Sequence, residues 1–372
     1  MSQVRVLAGE PIQKALLENS KRNLTIKVKN EGIILESSEN GFDNQAVLNP
    51  ACIEIGGVTH MFYRAVRRGD MVSSIGYCQL ERNKVVNRSD KPVLFPEYDY
   101  EKIGVEDPRI IFLDGVYYLF YTVYDGKNAL FAYATSTDLV RFVKQGVISP
   151  RISYLEAAHL FAQSKIKLRE RYFLFDSYIR DRAGDDILLW EKDAFIFPKK
   201  IKGQFALIHR VLPGIQVITF DNFKDLTEDY WKEHLRNLGR SIVLDPEYRF
   251  ESRNIGGGCP PIETKDGWLL IYHGVEDALH GKVYHAGAAL LDFDNPTKVI
   301  GRLKKPLFSP IEPWEKQGDV NNVVFPTGTV IKDGRLFIYY GAADKMIAAK
   351  SLDIAELLKE LKNNPGMPTT AS

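Results

Sequence analysis

Short apolar runs rich in Tyr, Phe and Ile recur along this chain, paired across Gly turns in a pattern that repeats five times. Each copy places a residue next to Pro, then an apolar run, a turn and a second strand. The copies begin NPACIEIGGVTHMFYRA at Asn49, DPRIIFLDGVYYLFYTV at Asp107, FPKKIKGQFALIHRV at Phe197, PPIETKDGWLLIYHG at Pro260 and FPTGTVIKDGRLFIYYG at Phe325. Asp114-Gly115, Asp266-Gly267 and Asp333-Gly334 suit tight hairpins, because Gly and Asp tolerate the positive φ that two-residue loops demand. A third strand ending in an Asp- or Asn-rich turn follows most hairpins, at 130–142, 215–226 and 284–300. One such sheet is marginal alone, whereas five stacked radially leave few open edges. The expectation is an all-β fold, a five-bladed β-propeller over residues 41–352 with a C-terminal helix.

Repeat starts are roughly 60 to 65 residues apart, except for about 90 between the second and third. The excess predicts an insertion near 149–182, either an extra hairpin or a lid, and a candidate for selectivity or subunit contact. In the tail, Ile354, Leu357, Leu358 and Leu361 have helical spacing behind an Asp353 cap, so 353–372 reads as a helix packed on the last blade with frayed final residues. Residues 1–40 read as a segment packing on the propeller.

Composition narrows the function. Lys+Arg 49 against Asp+Glu 48 leaves a formal net charge of +1, which argues against nucleic acid or an acidic membrane as partner and makes any charge-dependent function local. Cys52, Cys78 and Cys259 lack metal-ligand spacing and read as buried thiols in a reducing compartment. Without a signal-like or membrane-length apolar run, the expectation is cytoplasmic, and the triplets at Asn23 and Asn87 that match the glycosylation pattern carry little weight. A homo-oligomer is left open.

In a propeller, polar residues at equivalent strand ends converge on a central channel. Here those ends carry Arg64, Tyr121, His209 and Arg210, Tyr272 and His273, and Tyr340 followed by Asp344, with Asp107 opening the second repeat. Each has a structural alternative: Asp107 before Pro108 as a turn initiator, His273 as a core histidine, Arg64 and Arg210 as inter-blade ion pairs. Their shared register across repeats favours a functional reading. Gly256-Gly257-Gly258 lacks the context of a phosphate loop and predicts a tight backbone approach near the channel. The histidines lack metal-binding spacing, so neither metal nor cofactor is expected. Tyr121 or Trp268 could stack on a sugar face.

The segment Gly104-Val105-Glu106-Asp107-Pro108-Arg109-Ile110, with GGGCPPIETKDGWLLIYHGV, GDVNNVVFPTG and YYGAAD, resembles glycoside hydrolase family 130 from about Asn49 to Asp344. The resemblance implies a five-bladed propeller acting on β-mannosides, mostly by inverting phosphorolysis to α-mannose 1-phosphate, with a smaller branch hydrolysing β-1,2-mannosides. It implies Asp107 as general acid, its proton reaching the glycosidic oxygen through a sugar hydroxyl. Asn49, Arg64 and Asp344 match positions that hold the mannosyl ring, and Lys192, Arg210, His273 and Tyr284 match phosphate-binding positions.

Inverting cleavage needs an acid on the leaving oxygen and a nucleophile on the opposite face of the ring. Phosphate is nucleophilic at neutral pH but must be held as a dianion, which calls for cationic donors such as Lys192, Arg210 and His273. Water instead needs a second carboxylate, typically about 6.5 to 9.5 Å from the acid. This chain has Asn254 where the family's phosphorylases commonly have Lys. Either Arg253 compensates, or Glu251 and Glu276 signal the hydrolytic branch. Retention of Arg210 and His273 favours a β-mannoside phosphorylase with inorganic phosphate as co-substrate. An inverting β-mannosidase is the alternative, and a non-catalytic carbohydrate-binding propeller is the remote one.

Overall fold

The computed structural model describes residues 26–39 and 41–366. After β1 (Lys29–Leu35), the chain builds antiparallel units in sequence order. The first holds β2 to β5 (Ala46–Ile55, Val58–Val66, Ser73–Glu81, Lys84–Arg88), the second β6 to β9 (Gly104–Leu113, Val116–Tyr124, Ala129–Ser136, Val143–Val147). The third holds β10 to β13 (Phe195–Ile196, Phe205–His209, Ile215–Phe220, Ile242–Leu244). The fourth holds β14 to β18 (Asn254–Gly257, Ile262–Thr264, Gly267–Ala278, Gly281–Leu291, Val299–Arg302) and the fifth β19 to β21 (Val324–Lys332, Arg335–Ala342, Met346–Asp353). The fold is mostly β, and every repeat read from the sequence opens on an antiparallel strand pair.

Strand β1 pairs with β21, so the start of the described chain supplies the outer strand of the last unit and covers an edge that would otherwise be open. A single parallel bridge, Ser73 to Gly104, joins the first two units into one sheet. Asp114-Gly115 and Asp333-Gly334 take positive φ at both residues, as expected, whereas at Asp266-Gly267 only the glycine does.

A second repeat, not recognised in the sequence, explains why the units are built alike. Before or at the entry to each unit lies a buried carboxylate: Asp43, Glu101, Glu191, Glu251 and Glu315. Opposite it, on β3, β7, β11, β16 and β20, stands an aromatic residue: Tyr63, Tyr121, His209, Tyr272 and Tyr340. Tyr63, Tyr272 and Tyr340 donate their hydroxyls to the carboxylates at 3.0, 2.6 and 2.5 Å. Tyr121 is buried in the field of Glu101 without a hydrogen bond to it. A cation completes four of the pins: Arg88 on Asp43, Lys144 on Glu101 at 2.6 Å, Arg302 on Glu251 at 2.8 Å and Lys350 on Glu315 at 2.8 Å. Breaking such a buried pair leaves an uncompensated charge and costs about 3–5 kcal/mol. The signal is visible in hindsight as PEYDYE (96–101), PEYRFE (246–251) and PIEPWE (310–315), whose last Glu accepts backbone N–H groups three or four residues upstream.

The 149–182 insertion is helical and contains no hairpin. Helix α1 (Tyr154–Ala162), capped by Ser153, packs with α2 (Glu170–Ala183) and with α3 (Glu228–Arg236), itself capped by Thr227. Tyr154, Leu160, Tyr172 and Trp231 join them to the core of the third unit. Beyond the short α4 (Pro313–Lys316), α5 (Ile354–Lys362) begins at the Asp353 cap and buries Leu357, Leu358 and Leu361, as the spacing predicted. Asn364 to Gly366 are not frayed: they dock on β18 through Arg302 N to Asn364 O at 3.0 Å and Gly366 N to Ile300 O at 3.3 Å. Residues 1–25 and 367–372, with the expectations that fall on them, lie outside the described residues.

Candidate active site

A cavity of about 480 Å³ gathers Asn49, Arg64, Asp107, Lys192, Arg210, His273, Tyr284 and Asp344, residues from every unit of the fold. Backbone strain aims several of them. Asn49 and Asp107 have φ of 50° and 51°, each directly before a proline and inside a β-bulge, where the register slips between Leu48 and Ala51 and between Glu106 and Arg109. Asp193 and Asp344 also take positive φ, 59° and 51°. Such conformations persist where surrounding structure holds them, and bulges turn a side chain out of the strand's alternation.

One wall is built around a carboxylate. Asn49 Nδ2 donates to Asp107 Oδ1 at 2.7 Å, and Arg64 Nη1 stands 3.6 Å from the same oxygen. Burial pushes the Asp107 carboxyl up, but Arg64, Lys192, Asn49 and Arg109 outweigh it and hold the group below the usual carboxylate range. Asp344 differs: burial, against the pull of Arg64 and with the charges of Asp107, Asp319 and Glu106, pushes it up to about 6. Unliganded, the pair divides its roles, with Asp107 ionised and Asp344 the readier proton holder.

A second part of the lining is cationic. Arg210 Nη1 pairs with Asp193 Oδ2 at 2.7 Å, and Lys192 Nζ reaches Glu106 Oε2 at 3.5 Å. Arg253 and Lys282 also line the cavity, so five cations, with Arg64, face three lining carboxylates, Asp107, Asp193 and Asp344. His273 is not one of the cations: burial pushes it down to about 4, with Asp193 offsetting only part, so it is a neutral imidazole at pH 7. Neither of its ring nitrogens, nor Arg210 Nε, has a hydrogen-bond partner among the described residues. Neutral N–H and guanidinium donors therefore remain for a ligand.

Glu106 and Asp193 were missed in the sequence, although each adjoins a residue that was named. Glu106 joins the walls, bonding Arg64 Nη2 at 2.8 Å and Lys192 at 3.5 Å. Asp193 organises Arg210, Arg109 at 3.6 Å and His273 at 4.0 Å. Arg109 in turn donates to the carbonyls of Asp107 at 3.0 Å and Gly257 at 3.3 Å, tying two motifs together. The glycine run makes the close approach expected of it, since a Cβ at Gly256 would lie 2.6 Å from Asp193 Oδ2.

Other candidates fall outside the lining. Tyr121 is buried beside Glu101; strand alternation sends Tyr63, His209 and Tyr272 to their pins and the next residues, Arg64, Arg210 and His273, to the cavity, whereas Thr122, after Tyr121, does not line it. Trp268 is buried against Phe197 and Phe293. Glu251 is fully buried in its pin, and Glu276 is held by Arg249 at 2.9 Å and His285 at 3.2 Å. Both glutamates named for water activation are thus engaged away from Asp107. Among the described residues, no group of three His, Cys, Asp or Glu is arranged to hold a metal ion.

A family model described as β-1,4-mannooligosaccharide phosphorylase matches residues 20–363. The chain belongs to glycoside hydrolase family 130. It is 32% identical over 340 residues to a 1,2-β-oligomannan phosphorylase of Thermoanaerobacter sp. (strain X514), covering 89% of this chain and 98% of that protein. A β-1,2-mannobiose phosphorylase of the same organism is 34% identical over 342 residues, covering 88% and 96%. Among solved structures, the β-1,2-mannobiose phosphorylase of Listeria innocua in complex with β-1,2-mannobiose superposes with a TM-score of 0.67 at 21% identity, covering 91% of this chain and all of that one, a likeness of fold.

Proposed function

We propose that this protein is an inverting β-mannoside phosphorylase with β-1,2-linked mannosides as its substrates. The observation that carries the reading is the group of cations Lys192, Arg210, Arg253 and Lys282 lining the same cavity as Asp107. Arg253 and Lys282 make up for the Lys that Asn254 replaces. The names of the Thermoanaerobacter relatives support the β-1,2 linkage.

In this mechanism Asn49, Arg64 and Asp344 hold the mannosyl ring. Asp107 gives its proton, by way of a sugar hydroxyl, to the glycosidic oxygen as the C1–O bond breaks. A phosphate oxygen attacks C1 from the opposite face, and α-mannose 1-phosphate leaves. A dianion bound to Lys192 and Arg210 offsets the charges that keep Asp107 ionised, so phosphate binding itself raises the pKa of the acid.

The five units are read as blades of a propeller spanning 41–352. Supporting this, β2 packs beside both β6 and β19, β6 meets β10, β11 and β12 meet β14, and β16 and β17 meet β19. The insertion supplies Phe175, Tyr178 and Ile179 of α2 to the cavity, and with Trp190 these are proposed to select the acceptor sugar by stacking. No helix among the described residues is long and apolar enough to cross a membrane, and a cytoplasmic location is part of this reading.

The test is product analysis with β-1,2- and β-1,4-linked mannosides, with and without inorganic phosphate. Mannose 1-phosphate formed only with phosphate is expected. Free mannose formed equally in both would make the protein a hydrolase, and no product from any mannoside would leave a sugar-binding protein.

A further inference from the structure

The third pin departs from the other four. Elsewhere the carboxylate faces a tyrosine, whose polar contacts all run through one oxygen, as where the Tyr63 and Tyr272 hydroxyls donate to the carboxylate and accept from the Arg of the same pin, and a Lys or Arg whose charge is permanent. In the third unit Glu191 meets His209, whose Nδ1 lies 3.1 and 3.2 Å from the two carboxylate oxygens. The far nitrogen of that ring, Nε2, touches His234 Nε2 on α3 at 2.8 Å. Glu191 and His209 are completely buried and His234 half-buried. One proton must lie between two facing imidazole nitrogens, so the contact is a directed hydrogen bond, and the imidazole makes its two contacts at separate ring nitrogens, extending the pin beyond the sheet to a helix.

The position of this pin matters as much as its chemistry. Glu191 is joined by a peptide bond to Lys192, and its Oε2 also accepts the backbone N–H of Arg210 at 3.2 Å. One buried carboxylate thereby holds the main chain at both cations proposed to bind phosphate, which come from segments 18 residues apart. In the second unit the residue after the pinned tyrosine is Thr122, which does not line the cavity, so an ordinary pin there serves the sheet alone.

We propose that Glu191, His209 and His234 are positioning residues for the phosphate side of the site: they set the spacing of Lys192 and Arg210 and anchor it to helix α3. The proposal rests on the phosphorylase reading. A device of this kind acts on one substrate. Loosening it should weaken the hold on phosphate while leaving the mannosyl wall, built by Asn49, Arg64 and Asp344, as it was.

The experiment measures the KM for phosphate and the KM for β-1,2-mannobiose in phosphorolysis, together with Tm and calorimetric titration with inorganic phosphate. The enzymes compared are wild type, Glu191→Gln, His209→Tyr, His234→Gln and the control Glu101→Gln. His209→Tyr installs the residue of the other units, whose single polar oxygen replaces the two ring nitrogens that contact Glu191 and His234 separately. Expected for the three third-unit variants is a phosphate KM and Kd raised about tenfold, the size of one lost charge-assisted hydrogen bond, with the mannobiose KM within about twofold. Glu101→Gln should lower Tm with no split between the two KM values. Should Glu191→Gln prove unstable, His234→Gln, at the half-buried end, carries the same expectation. If the two KM values move together, or only Tm falls as in the control, the residues are structural and the proposal is wrong. Phosphate-independent release of mannose by wild type would instead bring down the phosphorylase reading beneath it.

Discussion

Asn49 Nδ2 lies 2.7 Å from Asp107 Oδ1, joining two residues that occupy the same place in successive units, each in left-handed backbone before a proline. The bond fixes one carboxylate oxygen of Asp107 and leaves the other to act. Asp107→Asn keeps the shape but has no acidic proton. It is expected to lower kcat by about 10²–10⁴ on mannobiose, the usual contribution of a general acid. An aryl mannoside with a good leaving group needs less protonation and should lose far less. Equal losses on both substrates would remove Asp107 from the acid role.

Asp344 provides a test by pH. Its folded pKa of about 6 lies above the ordinary carboxylate value, so its contribution to stability is present at low pH and lost as pH rises through about 6. Asp344→Asn stays neutral throughout. Relative to wild type the variant should gain on the order of 2–3 kcal/mol between pH 4 and pH 7, read from denaturant unfolding. Asp107 has the opposite sign: its pKa is lowered, so its contribution is present above the unfolded pKa and fades as pH falls through the folded one. Mannoside turnover by Asp344→Asn should also be weak, because the residue faces the sugar side.

Arg210→Ala removes the Asp193 partner at 2.7 Å together with a cavity donor. The phosphate KM should rise about 10- to 100-fold, in line with loss of a charged hydrogen bond. Arg210→Lys should recover only part of this, since an ammonium cannot present the forked donor pair. Steady-state kinetics at varied phosphate decides.

Tyr178 lies on the cavity face of α2 with Arg182 4.7 Å and Arg253 5.9 Å from its ring centre. Tyr178→Ala should raise the mannobiose KM about fivefold, the size of one lost aromatic contact, and leave the phosphate KM unaltered. An unchanged mannobiose KM would take the insertion out of substrate selection.

Glu251 and Glu276 are separated from catalysis by a stability measurement. Glu251→Gln weakens the pin to Tyr272 and Arg302 and should cost about 3–5 kcal/mol on denaturant unfolding, with the demand for phosphate unchanged. Glu276→Gln should alter neither product nor phosphate dependence. Loss of a phosphate-independent activity in either variant would restore the glutamate as a base.

Much of this protein was determined by its sequence alone, because strand alternation and turn chemistry are local. The five hairpins, the Asp353-capped helix and the register that brings Asn49, Arg64, Asp107, Arg210, His273 and Asp344 toward one place all follow from residues within a few positions of each other. Charge and direction were not local. Whether Tyr121 turned to the cavity, whether Glu251 was a base or a pin, and whether His273 was a cation depended on burial and on partners tens of residues away. Only tertiary structure decided them, since the cost of burying a charge is set by what the fold places beside it. The insertion shows the same limit: its length was legible, but its helices are held by Tyr172 and Trp231 packing on the third unit, a contact no short window of sequence contains.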